Sequence, residues 1–270
     1  MDWMMVIGFG SAVLMGLSLG LIGGGGSILT VPILVYLFDQ NPVIATTYSL
    51  FIVGTASAVG SVSHVRQGNI DWKTVLVFGS ASIVSVFIAR NLVLPLIPHD
   101  IIHIGSVHLT KSLGMLLLFS LMMIAASYSM INRKECIECQ EKMKVNYNYV
   151  GILFRGVLIG SVTGLIGAGG GFLIIPALVF MAYLPMKKAI GTSLAIITMN
   201  SLVGFLSDPH IHEHVNWPFL FTFASLAVMG ILVGSFLTKY IPNEKLKPGF
   251  GWFTLFMGLF ILAKELFFQN

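Results

Sequence analysis

Two glycine-rich segments carry the residues of this sequence that are best suited to bind a ligand. Residues 21–32 read LIGGGGSILTVP, and residues 165–176 repeat the pattern as LIGAGGGFLIIP. Each glycine costs a helix about 1 kcal/mol relative to alanine, so both runs predict a break in a helix. The helix that starts after each break, near Ser27 and near Gly171, would offer free backbone N–H groups and the positive end of its dipole. Both features favour a small anion.

We expect the two breaks to meet and to form one substrate-binding site with nearby polar side chains. Ser49 and Ser193 are the preferred side chains because they occupy equivalent places in a repeated pattern. Further hydroxyl and amide donors are Thr46, Thr47, Thr192, Asn200 and Ser201. The alternative for each of them is a hydrogen bond to its own backbone or to a neighbouring helix. The predicted binding residues are Gly23, Gly24, Gly25, Gly26, Ser27, Ser49, Gly167, Ala168, Gly169, Gly170, Gly171, Ser193 and Asn200.

Composition places these segments in a membrane. Of 270 residues, 56% are hydrophobic and 10% are charged, whereas soluble domains carry about 25% charged residues. Only helices and closed barrels satisfy the backbone in lipid, and no strand-like alternation is present, so we predict an all-α integral membrane protein. The net charge of +4 then reflects loops that set orientation rather than nucleic-acid binding. Residues 1–20 carry Asp2 instead of a basic region and are not expected to be a cleavable signal peptide.

The elements that must position the glycines are apolar runs of about the length that crosses a bilayer. Two runs are broken at their glycines, Met4–Phe38 and Tyr149–Tyr183. The unbroken runs are Val43–His64, Trp72–Leu94, Leu109–Ile131, Lys188–Leu206, Trp217–Tyr240 and Phe250–Phe268.

The two halves of the chain are related in sequence. ATTYSL at 45–50 matches AIGTSL at 189–194, at the same offset that relates the glycine segments. We therefore predict two transmembrane repeats, residues 1–131 and 149–270, joined by a hydrophilic cytoplasmic linker at 132–148. Internal repeats of this kind are typical of transporters.

The distribution of basic residues indicates how the repeats are oriented. If each broken run crosses the membrane once, the fifteen basic residues divide almost evenly between the two faces. If each run is a hairpin that returns to the face it entered, only Arg90, Lys111 and Lys264 lie on one face, and the other face is cytoplasmic. We adopt the hairpin topology. Each repeat is then a glycine-broken hairpin plus three spans, so the repeats are inverted and both termini lie outside.

Residues that could do other chemistry are few within the predicted spans. No nucleophile–base pair, P-loop or metal motif is present there, so we expect no enzyme activity, no catalytic residue, no metal site and no cofactor. No Asp or Glu lies in the middle of a span, which disfavours a cation pathway. Arg90 lies inside the third run, and we expect its side chain to extend to the outer surface rather than to be used within the membrane.

The paired motifs resemble the sulfite exporter family called TauE/SafE. GLIGGGGSILTVPIL and GLIGAGGGFLIIPAL, each followed by the pattern A-x-x-x-SL, carry this resemblance over the whole chain. It implies a multi-pass carrier of the inner (plasma) membrane for a small sulfur-containing anion: sulfite, thiosulfate or an organosulfonate such as sulfoacetate. We expect export by alternating access, with the anion and the lipid bilayer as partners and no nucleic acid. The resemblance leaves open the identity of the anion, the coupling ion, the direction of transport and whether the chain forms a homo-oligomer.

A different class of function is suggested by cysteine and histidine clusters outside the spans. Cys136 and Cys139, in the motif CIEC, are the only cysteines, and the segments 99–108 and 210–214 hold six of the seven histidines. These residues could make the chain a membrane-embedded redox or metal-sensing protein. One C-x-x-C supplies only two of the three or four ligands that zinc needs, and loop histidines are usually solvated, so we prefer the transporter.

Overall fold

The fold is described by a computed structural model. It covers residues 3–98, 100–104, 107–132, 149–167, 169–181, 184–208, 215–238, 240–241 and 243–267.

The described residues of the first half form five helices and a short pair of strands. Its elements are α1 (Trp3–Ile22), α2 (Gly25–Tyr36), α3 (Pro42–Arg66), α4 (Trp72–Ile88), β1 (Asp100–Ile104), β2 (Val107–Thr110) and α5 (Lys111–Asn132). A π-helical turn, Ala89–Val93, and a last turn, Leu94–Leu96, continue α4.

The second half repeats this order of helices. Its elements are α6 (Tyr149–Ile166), α7 (Gly171–Met181), α8 (Met186–Leu206), α9 (Trp217–Leu237) and α10 (Asn243–Phe267). Each predicted apolar run coincides with a helix, and each broken run becomes two helices. The predicted helical class is therefore confirmed.

Five of the described helical segments are long and apolar enough to cross a membrane. They are Pro42–Arg66, Trp72–Leu96, Lys111–Tyr128, Met186–Leu206 and Trp217–Leu237. The described parts of the two broken runs supply shorter apolar helices, Ile7–Ile22, Gly25–Tyr36 and Gly151–Ile166.

The one departure from a helical chain, within the described residues, is the antiparallel pair β1–β2, in which His103 lies opposite His108. No strand was predicted here, because the sequence shows no strand-like alternation. Gly105 and Ser106 separate two short runs that contain β-branched residues, which is the spacing of a two-residue hairpin loop. His103 and His108 thus lie on paired strands rather than in an irregular loop.

Equivalent caps start the fourth helix of each half. The Asp71 side chain accepts a hydrogen bond from the Thr74 N–H at the start of α4, and the Asn216 side chain accepts one from the Phe219 N–H at the start of α9. Asp and Asn are favoured at this position because their side chains satisfy N–H groups that the helix leaves free. The related sequences NIDW and HVNW therefore encode the same helix start.

Glycines allow two pairs of helices to pack with their backbones in contact. On α1, Gly16 and Gly20 lie against backbone atoms of Ala227 and Ile231 on α9. On α6, Gly160 lies in the same way against Ser82 of α4. Small residues at such spacing let membrane helices approach closely, which maximises van der Waals contact where no hydrophobic effect separates helix from lipid.

The two halves of the chain exchange contacts through equivalent helices. α1 packs against α9 as α6 packs against α4, and α3 contacts α9 as α8 contacts α4. α2 contacts α10 as α7 contacts α5. In three pairs, a helix of the first half also contacts the equivalent helix of the second half: α3 contacts α8, α5 contacts α10, and α2 contacts α7. The interior is consequently built from both halves together.

Candidate functional site

The two helix breaks lie against each other in the interior. A Cβ atom built on Gly24 would lie 2.5 Å from the carbonyl carbon and oxygen of Gly171, and one built on Gly171 would lie 2.7 Å from the Gly24 Cα. Contacts this short exclude any side chain at either position. The turns need glycine for a second reason, because Gly23 has a φ of 76° and Gly167, Gly169 and Gly170 have φ values of 73°, 64° and 70°.

The helix that follows the first break starts with uncapped backbone. α2 begins at Gly25, two residues before the predicted start, and α7 begins at Gly171 as predicted. Gly24 is the N-cap residue of α2 and supplies no side-chain hydrogen bond. The Ser27 hydroxyl donates to the Gly24 carbonyl at 2.7 Å and so does not cap these N–H groups either. The first turn of α2 therefore keeps backbone donors that no side-chain cap satisfies.

Gly25 and Gly26 face away from the second break. A Cβ on Gly26 would collide with the Met15 carbonyl oxygen and the Leu19 side chain of α1, and the nearest neighbour to a Cβ on Gly25 is Ile22, at 3.5 Å. The absence of side chains at Gly26 therefore lets α2 fold back along α1. The N–H groups of both residues still belong to the first turn of α2.

Hydroxyl groups surround both breaks. The Ser193 hydroxyl lies 3.1 Å from the Gly23 carbonyl oxygen and 2.8 Å from that of Ile190. A Cβ built on Gly169 would lie 2.8 Å from the Ser201 hydroxyl oxygen, and one on Gly170 would collide with Thr163. The hydroxyls of Ser201 and Thr163 are buried and have no hydrogen-bond partner among the described residues. Thr163 was missed by the sequence analysis because threonine is common in membrane helices and its position has no polar counterpart in the first half.

Three of the predicted binding residues are not shown to join the breaks. The Asn200 amide donates to the Ser82 hydroxyl of α4 at 2.6 Å, so it links two helices. Ser49 is fully buried, and its hydroxyl has no partner within the described structure. Ala168 lies outside the described residues.

A buried ion pair lies beside the second break and corrects the expectation for Arg90. Arg90 does not extend to a surface: it is fully buried, and its Nη1 donates to Asp208 Oδ2 at 2.6 Å. Thr47 donates its hydroxyl to the same carboxylate oxygen at 2.5 Å. Asp208 follows the end of α8, where the sequence suggested a loop position. A charged residue within an apolar run usually has a buried partner, and this rule could have predicted that Arg90 is paired inside the protein.

The ion pair is connected to the glycine turn by direct contact. A Cβ built on Gly167 would lie 2.5 Å from Arg90 Nη2 and would collide with Thr46. Arg90 lies on the π-helical turn of α4, a local distortion that is common at functional sites. A small pocket of about 10 Å³, room for roughly one water molecule, adjoins Thr46. Its other lining residues are Val31, Pro42, Met115, Leu116, Phe119 and Ile166.

A buried histidine occupies the equivalent position in the first half. His64 precedes Asp208 by the same offset that relates the glycine segments, and it is fully buried near the end of α3. Neither ring nitrogen has a hydrogen-bond partner in the described part of the chain. Gly191 makes room for it, because a Cβ there would lie 3.0 Å from the His64 Cβ.

The residues of the alternative function fall largely outside the described structure. Cys136 and Cys139, and the segment 210–214, are among the residues it does not describe. His103 and His108 are placed only as backbone in the hairpin. Among the described residues, no group of three or more His, Cys, Asp or Glu side chains is arranged to hold a metal ion.

Comparison with known proteins gives one family over nearly the whole chain. Residues 8–261 match the family model described as "Sulfite exporter TauE/SafE". A probable membrane transporter protein of Xylella fastidiosa is 28% identical over 265 residues, covering 97% of this chain and 96% of that protein. One from Methanocaldococcus jannaschii is 27% identical, covering 96% of this chain and 94% of its own, and YunE of Bacillus subtilis is 27% identical, covering 83% and 85%.

No solved structure matches this chain significantly. The names of the relatives indicate a membrane transporter rather than an enzyme. The family model covers both glycine segments and every helix that positions them, which confirms the resemblance predicted from the motifs. The chain belongs to the TauE/SafE sulfite exporter family of membrane proteins.

Proposed function

We propose that this protein carries a small sulfur-containing anion, such as sulfite, thiosulfate or sulfoacetate, across the inner membrane. The observation that carries the proposal is the backbone contact between Gly24 and Gly171, which brings two helix starts to one place. The uncapped N–H groups at the start of α2 and the positive dipole ends of both helices then act on the same small volume. The predicted residues of the two glycine segments, with Ser193, bind the anion in this proposal.

The proposed topology has two inverted repeats, with the multi-pass chain placing both termini outside. The contacts that the two halves exchange through equivalent helices support a two-fold relation between them. The basic residues support the orientation, because the hairpin topology leaves only three of the fifteen outside. The repeats then comprise residues 1–131 and 149–270, with the linker 132–148 in the cytoplasm.

Transport by alternating access follows from where the breaks lie. Non-helical backbone at membrane depth is tolerated where it is buried in protein or lines a cavity, and both breaks are packed within the protein. In this proposal the two halves move relative to each other, so that the anion is admitted from one side and released on the other. Export, from the cytoplasm outward, is the proposed direction.

Uptake by proteoliposomes tests the proposal. Purified protein is reconstituted, and the initial uptake of sulfite, thiosulfate and sulfoacetate is compared with uptake by protein-free liposomes at equal ionic strength. We expect at least one of the three anions to enter faster with protein present, and chloride in excess to compete poorly. Uptake of all three at the protein-free rate would overturn the proposed function.

A further inference from the structure

The buried ion pair leaves one edge of the Arg90 guanidinium without a partner. Nη1 donates to Asp208, whereas Nε and Nη2 are buried and have no hydrogen-bond partner among the described residues. A guanidinium group has five N–H donors, and leaving several of them unsatisfied in a dry interior is costly. The Nε–Nη2 edge is also the edge that binds a carboxylate-like or sulfonate-like group through two parallel hydrogen bonds.

Among the described side chains, a second basic group, Lys111, lies near Arg90. Lys111, only 7% exposed, donates its Nζ to the Leu94 carbonyl oxygen at 2.5 Å. Leu94 follows Arg90 by four residues on the continuation of α4, so the Lys111 ammonium group lies about one helical turn from Arg90. Asp208 is the acidic side chain that the described structure places at this cluster, and its Oδ2 already accepts hydrogen bonds from Arg90 and Thr47. A bound anion would supply the missing negative charge, which a buried cation requires.

Gly167 places this cluster at the glycine turn. The absence of a side chain there lets Arg90 Nη2 approach the backbone of the second break, where Gly167 adopts its left-handed conformation. The guanidinium and the turn that precedes α7 therefore border the same space. A substrate that meets the amide groups of the breaks comes within reach of the guanidinium edge when the halves separate.

We propose that Arg90 is an anion ligand of the transporter: its Nε–Nη2 edge binds two oxygens of a sulfite or sulfonate group, while Asp208 and Thr47 hold its Nη1 in place. Lys111 adds long-range attraction. This inference rests on the proposed function and adds a chemical selectivity to it. An ion without two suitably spaced oxygens, such as chloride, gains no bidentate contact and binds weakly.

Replacing Arg90 by lysine tests the bidentate contact separately from the positive charge. Arg90→Lys keeps a cation for Asp208 but removes the bidentate edge. Arg66→Lys, at an exposed position at the end of α3, is the matched control. In proteoliposomes we expect Arg90→Lys to raise the KM for sulfite about tenfold with little change in the maximal rate. Arg66→Lys should leave both unchanged.

A KM for Arg90→Lys within a factor of two of the wild-type value would overturn the inference while leaving the proposed function intact. If the wild type itself moves none of the three anions, the proposed function fails, and this inference fails with it. The two failures are therefore distinguishable in one experiment.

A second variant keeps the inference testable if Arg90→Lys does not fold. Asp208→Asn leaves the two cations without their carboxylate, so added sulfite should raise its melting temperature by several degrees more than it raises that of the wild type. Sodium chloride at equal ionic strength should not produce this larger shift in the variant. Equal shifts for the two proteins, or equal shifts from the two salts, would overturn the inference.

Discussion

Gly24 and Gly171 are so close that adding a single methyl group at Gly24 should disturb the site. Gly24 does not have a positive φ (its value is −157°), and we expect a substitution there to act through the close contact with Gly171. We expect Gly24→Ala to push the breaks apart and lower the initial rate of sulfite uptake at least tenfold, which corresponds to about 1.4 kcal/mol. Uptake per reconstituted protein is the measurement.

The matched control is Gly249→Ala, since a Cβ at Gly249 meets nothing within 4 Å. Its uptake rate should equal that of the wild type. Normal transport by Gly24→Ala would show that substrate does not pass between these two residues.

His64 offers a test of stability at the same scale. Its imidazole is buried without a hydrogen-bond partner among the described residues, and such a group costs about 1–3 kcal/mol. His64→Leu fills similar space with apolar atoms and should therefore raise the melting temperature of the protein in detergent. A lower melting temperature would mean that the imidazole makes a stabilising contact.

At the scale of elements, the helices were predictable because lipid allows few alternatives. The broken run Met4–Phe38 became α1 and α2, with Gly23 and Gly24 between them and with Gly25 and Gly26 in the first turn of α2. The pair β1–β2 was not predicted, because eleven residues of mixed character give little periodicity. The partner of Arg90 was not predicted either, because Asp208 is distant in sequence and lies just beyond a helix. Tertiary packing decides the second case, and no local pattern reports it.

The interface between α1 and α9 predicts a specific loss of stability. A Cβ on Gly16 would collide with the Ala227 carbonyl oxygen. A Cβ on Gly10, nearer the start of the same helix, would meet nothing within 4 Å. Gly16→Ala should destabilise the protein by about 1–3 kcal/mol, because the added group forces two backbones apart. Gly10→Ala should not destabilise it. Thermal unfolding of both variants in the same detergent makes the comparison, and equal melting temperatures would contradict this account of the interface.

At the scale of the whole molecule, the two cysteines provide a direct test of topology. Cys136 and Cys139 are the only thiols of the chain and lie in the proposed cytoplasmic linker. A membrane-impermeant maleimide should label the protein in inside-out vesicles and fail to label it in intact cells. The variant with serine at both positions and Asp2→Cys should show the opposite pattern. Labelling of the wild type in intact cells would reverse the proposed orientation.

A variant without cysteines also distinguishes the two classes of function. If the breaks bind the substrate, Cys136→Ser combined with Cys139→Ser should transport sulfite at the wild-type rate. If the CIEC motif carries redox or metal-sensing chemistry, activity should disappear with the thiols. Uptake by proteoliposomes under reducing conditions gives the answer without interference from disulfide formation.

The packing of α1 on α9, and of α6 on α4, has a consequence for how the chain could be divided. Each half sends its first helix to the other half and supplies one glycine of the Gly24–Gly171 pair. A gene divided between positions 132 and 149 would yield fragments that each expose a glycine-containing helix face that the other half normally covers. Neither fragment alone could form the contact between the two helix breaks. Two fragments made in the same cell should associate as a heterodimer and restore uptake.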